Sequence, residues 1–311
     1  MGRVRNLPFD RPGRFYRGNL HAHSTRSDGR QEPAAVVAAY RDQGYDFLAL
    51  TDHFLERFGY QITDSRSLRT DGFTTILGAE LHGPRLENGD AWHIVAVGLP
   101  LDFPRGETDE DGPSLVCRAT AAGAFVGIAH PAWNGVSPAD ALTLPDAHAI
   151  EIHNEGHFRD SDRGNGWYLA DLLAAGGHRR TAFAADDAHF GPRPDRFGGW
   201  VQVRAEALDP DLLLAALKAG HYYASTGPEL QDIALRDGEI RIACSPAQAI
   251  HVTGHGATSR YVLGERLTEA SFPLAPFQGR YCRVTVIDAE GKRAWSNPIW
   301  LTERDLSSHA V

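Results

Sequence analysis

Strand after strand in this chain ends in a histidine or a carboxylate, and that pattern restricts the folds open to it. The run 15–20 reads as a strand and leads into His21-Ala22-His23, with Asp28 following in the turn Ser27-Asp28-Gly29. Side chains of a strand alternate between faces, so His21 and His23 point the same way. The apolar run 45–51 closes with Asp52-His53, 74–81 carries Glu80 near its end, and 92–99 carries His93 near its start. Further runs stop at His130-Pro131, at His153-Asn154 and at Asp186-Asp187-Ala188-His189, and 200–204 is the last strand of the series. Helical patterns lie between them at 32–44, 114–122, 165–175 and 210–219.

Strand, helix and strand in close succession form a βαβ unit with parallel strands. In a parallel α/β barrel all C-terminal strand ends share one face, whereas an open doubly wound sheet gathers functional groups only at its switch point. Six or more contributing strand ends therefore predict an α/β fold closed into an irregular barrel. After residue 220 the helical patterns vanish. Short alternating runs separated by turns such as Asp237-Gly238 predict a small antiparallel β appendage. The expected division is a barrel over 1–220 and an appendage over 221–311, with 305–311 frayed.

Composition narrows the function. Apolar content of 42% over 311 residues supports a substantial core. No apolar run is long enough for a membrane helix, and the basic N-terminus leads into no apolar signal segment, so no membrane association is expected. Cys117, Cys244 and Cys282 are widely spaced and odd in number, which fits neither a disulfide framework nor a zinc ribbon and predicts a reducing cytoplasm. A net charge of -9 argues against a long nucleic acid held by phosphate neutralisation, but leaves open a nucleotide held through metals.

Nine candidates collect at the strand ends: His21, His23, Asp28, His53, Glu80, His93, His130, Asp187 and His189. Buried ionisable groups without partners are costly, so such a set points to metal ligation. Mixed imidazole and carboxylate donors suit Mn, Zn or Fe, alone or together. With His21-Ala-His23 and its Ser-Asp28-Gly turn, Thr51-Asp-His53, Gly78-Ala-Glu80, His93, Ala129-His130-Pro and Asp187-Ala-His189, the chain resembles the PHP (polymerase and histidinol phosphatase) superfamily of metal-dependent phosphoesterases. More narrowly it resembles the stand-alone CehA/McbA-like members, whose appended region is similar to Tyr223-Ala-Ser-Thr-Gly-Pro-Glu229 and to the segment 295–300.

The resemblance implies a distorted (β/α)7 TIM-like barrel holding two or three divalent ions. His21, His23, Glu80 and Asp187 would take the first. Glu80 would bridge to a second with His93 and His130, and Asp28, His53 and His189 would take a third. The implied reaction is hydrolysis of a phosphate mono- or diester, a small molecule or nucleotide, by a hydroxide bridging the ions, with phosphate as product or inhibitor. His157 is a candidate proton donor or phosphate contact, and Arg26 and Arg159 are candidate phosphate-binding arginines. Asp52 and Asp186 are expected to be structural, His153 to wall the pocket, and His82 to lie just outside it. Two alternatives are a metal-dependent hydrolase of carboxylic or carbamate esters and a non-catalytic barrel that binds metal or ligand. The second would be signalled by lost ligands, and none is missing. The sequence carries no signal of oligomeric state.

Overall fold

The computed structural model describes residues 7–107, 110–277 and 280–301, so the end expected to fray at 305–311 lies outside the described residues. Strand β1 (Arg14–Asn19) crosses through helix α1 (Pro33–Asp42) to a parallel β2 (Phe47–Leu50). Helix α1 begins at Pro33, whose missing N–H is no loss in a first turn, and buries Val36, Val37 and Tyr40. Next come β3 (His53–Phe54), β4 (Thr74–Gly83), β5 (Trp92–Val97), α2 (Gly112–Ala121) and β6 (Phe125–Ile128). Asp111 caps α2, and its carboxylate accepts from the Ser114 amide at 2.9 Å. Short helices α3 (Pro131–Asn134) and α4 (Pro138–Leu142) precede β7 (Ala149–Asn154), α5 (Glu155–Ser161), α6 (Trp167–Ala175), β8 (Thr181–Ala185), β9 (Trp200–Ala205) and α7 (Pro210–Lys218). The chain then turns to strands, interrupted by one 3-10 turn at Ala275–Phe277: β10 (Tyr222–Ser225), β11 (Leu230–Arg236), β12 (Glu239–Gly254), β13 (Ser259–Pro273), β14 (Tyr281–Ile287), β15 (Arg293–Ser296) and β16 (Ile299–Trp300).

The hydrogen-bonded strand order is β11-β12-β14-β15-β10-β9-β1-β2-β4-β5-β6-β7-β8. Pairs β1–β2, β2–β4, β6–β7 and β7–β8 are parallel, and β5 runs antiparallel to both neighbours. An antiparallel strand starts at the face where its neighbours end, and this brings His93, at the start of β5, to the same rim as the other candidates.

The expected closed barrel is not formed by this ladder. Strand β1 pairs with β2 on one side and antiparallel with β9 on the other, so it has no free edge for β8. Past their ends the β1 and β8 chains meet instead at one parallel bridge, Ala22 to Ala188. There the Asp187 amide donates to the His21 carbonyl and the His23 amide to the Ala188 carbonyl, both at 2.9 Å. At the opposite end of β8, the Ala182 amide donates to the Asn297 side chain (2.8 Å), and the Tyr222 hydroxyl to Thr181 Oγ1 (2.7 Å). The antiparallel segment thus covers the edge that a closed barrel would have buried, and β9–β10 pairing carries the sheet across residue 220.

Below the strand ends lies a buried layer that includes Phe47, Phe125 and Phe183. Glycines on nearby strands make room for two of these rings. A Cβ on Gly18 would stand 2.1 Å from the Phe47 ring, and one on Gly127 2.5 Å from that of Phe183. The antiparallel strands bury a core of their own, with Ile233, Ile240, Ile250, Val252, Val284 and Val286. Among the described residues Cys117, Cys244 and Cys282 form no disulfide. Among the described residues no helix is long and apolar enough to cross a membrane.

Candidate metal centre

Two aspartates shape the loops that carry the ligand-type residues. Asp52 accepts from the Ser24 amide (2.6 Å) and from the hydroxyls of Ser24 (2.8 Å), Ser27 (2.8 Å) and Thr63 (2.6 Å), which pins the turn that brings Asp28 back over His23. Asp186 accepts from the Tyr40 hydroxyl (2.7 Å) and from the amides of Phe197, Gly198 and Gly199. Both are buried and structural. His130 and Asp187 adopt left-handed backbone (φ 25° and 56°), which costs a non-glycine residue on the order of 1 kcal/mol or more. The His130 amide is held by Glu151 Oε2 at 2.6 Å, and the Asp187 amide by the His21 carbonyl.

Strand register sets the rest. His53 on β3 lies beside Glu80 on β4, and His82 on β4 lies opposite His93 on β5. Glu80 occupies the centre. Its Oε1 is 2.6 Å from His93 Nδ1 and 3.2 Å from His130 Nε2, and its Oε2 is 2.7 Å from His53 Nδ1, 3.6 Å from His23 Nε2 and 3.7 Å from His21 Nε2. Asp187 Oδ1 lies 2.9 Å from His23 Nε2 and 3.3 Å from His21 Nε2, and its Oδ2 3.4 Å from His157 Nε2. Asp28 stands 3.3 Å from both His53 Nε2 and His189 Nε2. All nine candidates therefore share one site.

The imidazoles are oriented from behind. His21 Nδ1 is 3.1 Å from Glu151 Oε1, His130 Nδ1 is 2.8 Å from Asn134 Oδ1, and His189 Nδ1 is 2.9 Å from the Asp187 carbonyl. Each of those oxygens accepts, so each Nδ1 carries a proton and each Nε2 is the ring atom turned toward the cluster. His21 Nε2 and Glu80 Oε2 are buried without a hydrogen-bond partner among the described residues, a state that coordination would relieve. Donor atoms of His23, Asp28, His53 and His189 lie within 4.8 Å of one another, as do those of His21, His23 and Asp187 and those of His21, Glu80 and His130. These donor sets fit divalent ions.

The electrostatics agree. Burial opposes ionisation of Glu80, yet His93 and His53 hold it well below the usual carboxylate range, and His21 and His23 do the same for Asp187. Burial also works against charge on His53 and His189, but Glu80 and Asp28 raise them to about 10 and about 9. Burial and the neighbouring His189 push His23 down to about 4. Every carboxylate at the cluster is thus kept charged, as cation binding requires.

A cavity of about 720 Å³ opens over the cluster, with Trp133, His157 and Arg30, Arg57 and Arg193 among its lining residues. His157 reaches it and stacks on Trp133 with ring centres 4.4 Å apart. Arg26 and Arg159 do not line it. Arg26 is exposed outside the rim. Arg159 is drawn to the far side of α5 by Glu155, with Nε 2.6 Å from Oε1. His82 belongs inside the site, since its Nε2 is 2.8 Å from His53 Nδ1 and it shares Glu80's face of β4. His153 faces away, with Nε2 2.9 Å from Glu155. Sequence reasoning missed Glu151, Asn154 and Asp195. The signal for Glu151 was an acid inside the apolar run Ala149-Ile-Glu-Ile152, which a buried strand tolerates only with partners.

No protein-family model matches the chain, and no curated protein does. Solved structures similar to it include a two-domain protein from Bacteroides vulgatus containing a predicted PHP-like metal-dependent phosphoesterase, at 15% identity over 96% of this chain and 100% of that one, with a TM-score of 0.49. Another is a candidate metal-dependent phosphoesterase from Bifidobacterium adolescentis, at 15% identity over 65% of this chain and 96% of that one (TM-score 0.43). A third is an amidohydrolase from Chromobacterium violaceum with bound sulfate and no metal, at 16% identity over 55% and 87% (TM-score 0.42).

Proposed function

We propose that this chain belongs to the PHP superfamily and hydrolyses a small phosphate ester with two or three divalent ions bound at the strand ends. The observation that carries the reading is the set of Nε2 atoms of His21, His130 and His189, each ring fixed by an oxygen behind it, converging on three ionised carboxylates beneath a cavity with arginines at its rim. One ion would be held by His21, His23, Glu80 and Asp187. A second would be held by Glu80, His93 and His130, and a third by Asp28, His53 and His189. Bound there, such ions lower the pKa of a coordinated water and polarise a phosphoryl oxygen.

The chain's own groups supply the rest. Arg30 and Arg57 line the cavity and pair with no carboxylate among the described residues, so they are available to phosphate oxygens. Arg193 is committed to Asp160. Burial and the nearby His130 hold His157 below its ordinary value. It is a cavity imidazole not engaged with Glu80 or Asp28, and we assign it contact with the leaving group. Trp133 walls the cavity beside it. The cationic rim favours an anionic phosphate ester over a neutral carbamate or carboxylic ester.

Protein prepared without chelators should carry at least two metal equivalents and release phosphate from one member of a panel of phosphomonoesters, phosphodiesters and nucleotides. Chelation should abolish turnover, Mn, Zn or Fe should restore it, and inorganic phosphate should compete. Arg30→Ala should raise KM by about tenfold or more, as loss of a charged hydrogen bond does. Fast turnover of a neutral ester, with no action on any phosphate ester and no inhibition by phosphate, would overturn the assignment.

A further inference from the structure

A second cleft, of about 920 Å³, opens on the other side of α5. This helix is a shared wall. Its His157 and Asp160 face the metal cavity, while Glu155, Phe158 and Arg159 face the cleft, as residues three and four apart on a helix share a side. The segment 191–198 divides in the same way, with Arg193 and Asp195 lining the cavity and Arg196 and Phe197 the cleft.

The far wall is the antiparallel sheet. Its register sets His251 opposite Thr285, Thr253 opposite Arg283 and Thr285 opposite Trp295, so these five residues share one face. A sheet face turned toward the body of a protein is ordinarily apolar. This one is polar and borders open space.

The charge of the cleft runs against that of the chain, whose net is -9. Arg17, Arg159, Arg196, Arg283, Lys292 and Arg293 line it, against Glu155 and Glu290. Arg159, Arg283 and Lys292 are spoken for by Glu155, Asp171 and Glu290, and Arg196 has Asp195 at 3.4 Å. Arg17 and Arg293 pair with no carboxylate among the described residues. The Arg17 guanidinium stacks between Trp200 (3.7 Å) and Tyr45 (4.0 Å), and its buried Nε has no hydrogen-bond partner there. Trp167, Trp200 and Trp295 also line the cleft, all three largely buried, with the Arg283 guanidinium over Trp167 at 3.9 Å and that of Arg17 over Trp200.

We propose that this cleft is a second binding site, for an aromatic anion of nucleotide size. The planar ring would lie against Trp295, over which no guanidinium lies among the described residues, and its phosphate would meet Arg17, Arg196 and Arg293. Stacking on indole, cation–π contact and charge-assisted hydrogen bonds then act on one ligand, in a volume usual for small-molecule sites. The proposal does not depend on the reaction assigned to the metal cavity.

The test uses the full chain with its metals and the α,β-methylene analogue of ADP, which resists hydrolysis. Titration followed by tryptophan fluorescence should show saturable binding, with adenosine and inorganic phosphate each weaker by about tenfold or more. The double reversal R196E/R293E should weaken binding of the analogue by at least about tenfold, while Arg30→Ala leaves it unchanged. Arg293 is exposed, whereas Arg196 is half-buried and its Nη1 donates to the Arg193 carbonyl at 3.2 Å, so R293E alone, whose circular dichroism should be unaltered, serves if the double variant fails to fold. Binding lost with Arg30→Ala and untouched by the reversals would place the ligand over the metal cluster and overturn the proposal. Absence of saturable binding below about 1 mM would overturn it as well.

Discussion

Glu151 sits behind the metal cluster and orients two of its members. One carboxylate oxygen lies 3.1 Å from His21 Nδ1, and the other accepts from the His130 amide at 2.6 Å and from Asn154 Nδ2 at 3.0 Å. An amide in its place can accept at one end only, and its NH2 would face an existing donor. Glu151→Gln is therefore expected to weaken metal affinity by about 10–100-fold while leaving the circular dichroism spectrum intact. Isothermal titration with Zn or Mn measures this, and unchanged affinity would remove Glu151 from the site's support. The nine candidates were legible in the sequence because eight lie at or near a strand end and Asp28 lies in the turn that follows one, where the chain runs out of ladder and side chains converge. Glu151 was not, because it lies inside an apolar run and its partners are far away in sequence.

At the scale of elements, two register features decide which side chains meet. Pairing of β4 with β5 sets His82 opposite His93, and this draws into the cluster a histidine that the sequence places just outside it. The β7–β8 pairing shifts register between Glu151 and His153. Simple alternation would give those two residues one face. The shift separates them, so Glu151 turns to the ligands and His153 to Glu155 and the second cleft. Neither the pairing partner nor an irregularity of this kind can be read from one strand alone. The direction of α5 likewise removes Arg159, expected as a phosphate-binding arginine, from the cavity. His153→Ala should accordingly keep the full metal content, whereas Glu80→Gln, which removes the charge shared among five imidazoles, should lose at least one equivalent. Elemental analysis of the two purified variants distinguishes them, and equal losses would show the site drawn wrongly.

At the scale of the molecule, the α/β series and the all-β ending were visible as a change of period near residue 220, but the failure of the sheet to close was not. It follows from β9 folding back antiparallel onto β1 and taking the edge that β8 would have used. What joins β8 to β1 is the Ala22–Ala188 bridge and its two backbone hydrogen bonds. The ligand-type residues flank this joint on both sides, His21 and His23 on one strand and Asp187 and His189 on the other. An ion shared between them would act as a clasp across the weakest course of the wall, so the same atoms that serve chemistry would also lock the fold. With ligand at a thousandfold excess over Kd, such linkage is worth about 4 kcal/mol. Stripping the ions should then loosen the molecule locally before it melts globally, with the amides of His23 and Asp187 exchanging faster with deuterium while those in the β2–β4 ladder keep their protection. Equal protection of His23 and Asp187 in stripped and loaded protein would mean that the joint holds by its two hydrogen bonds alone.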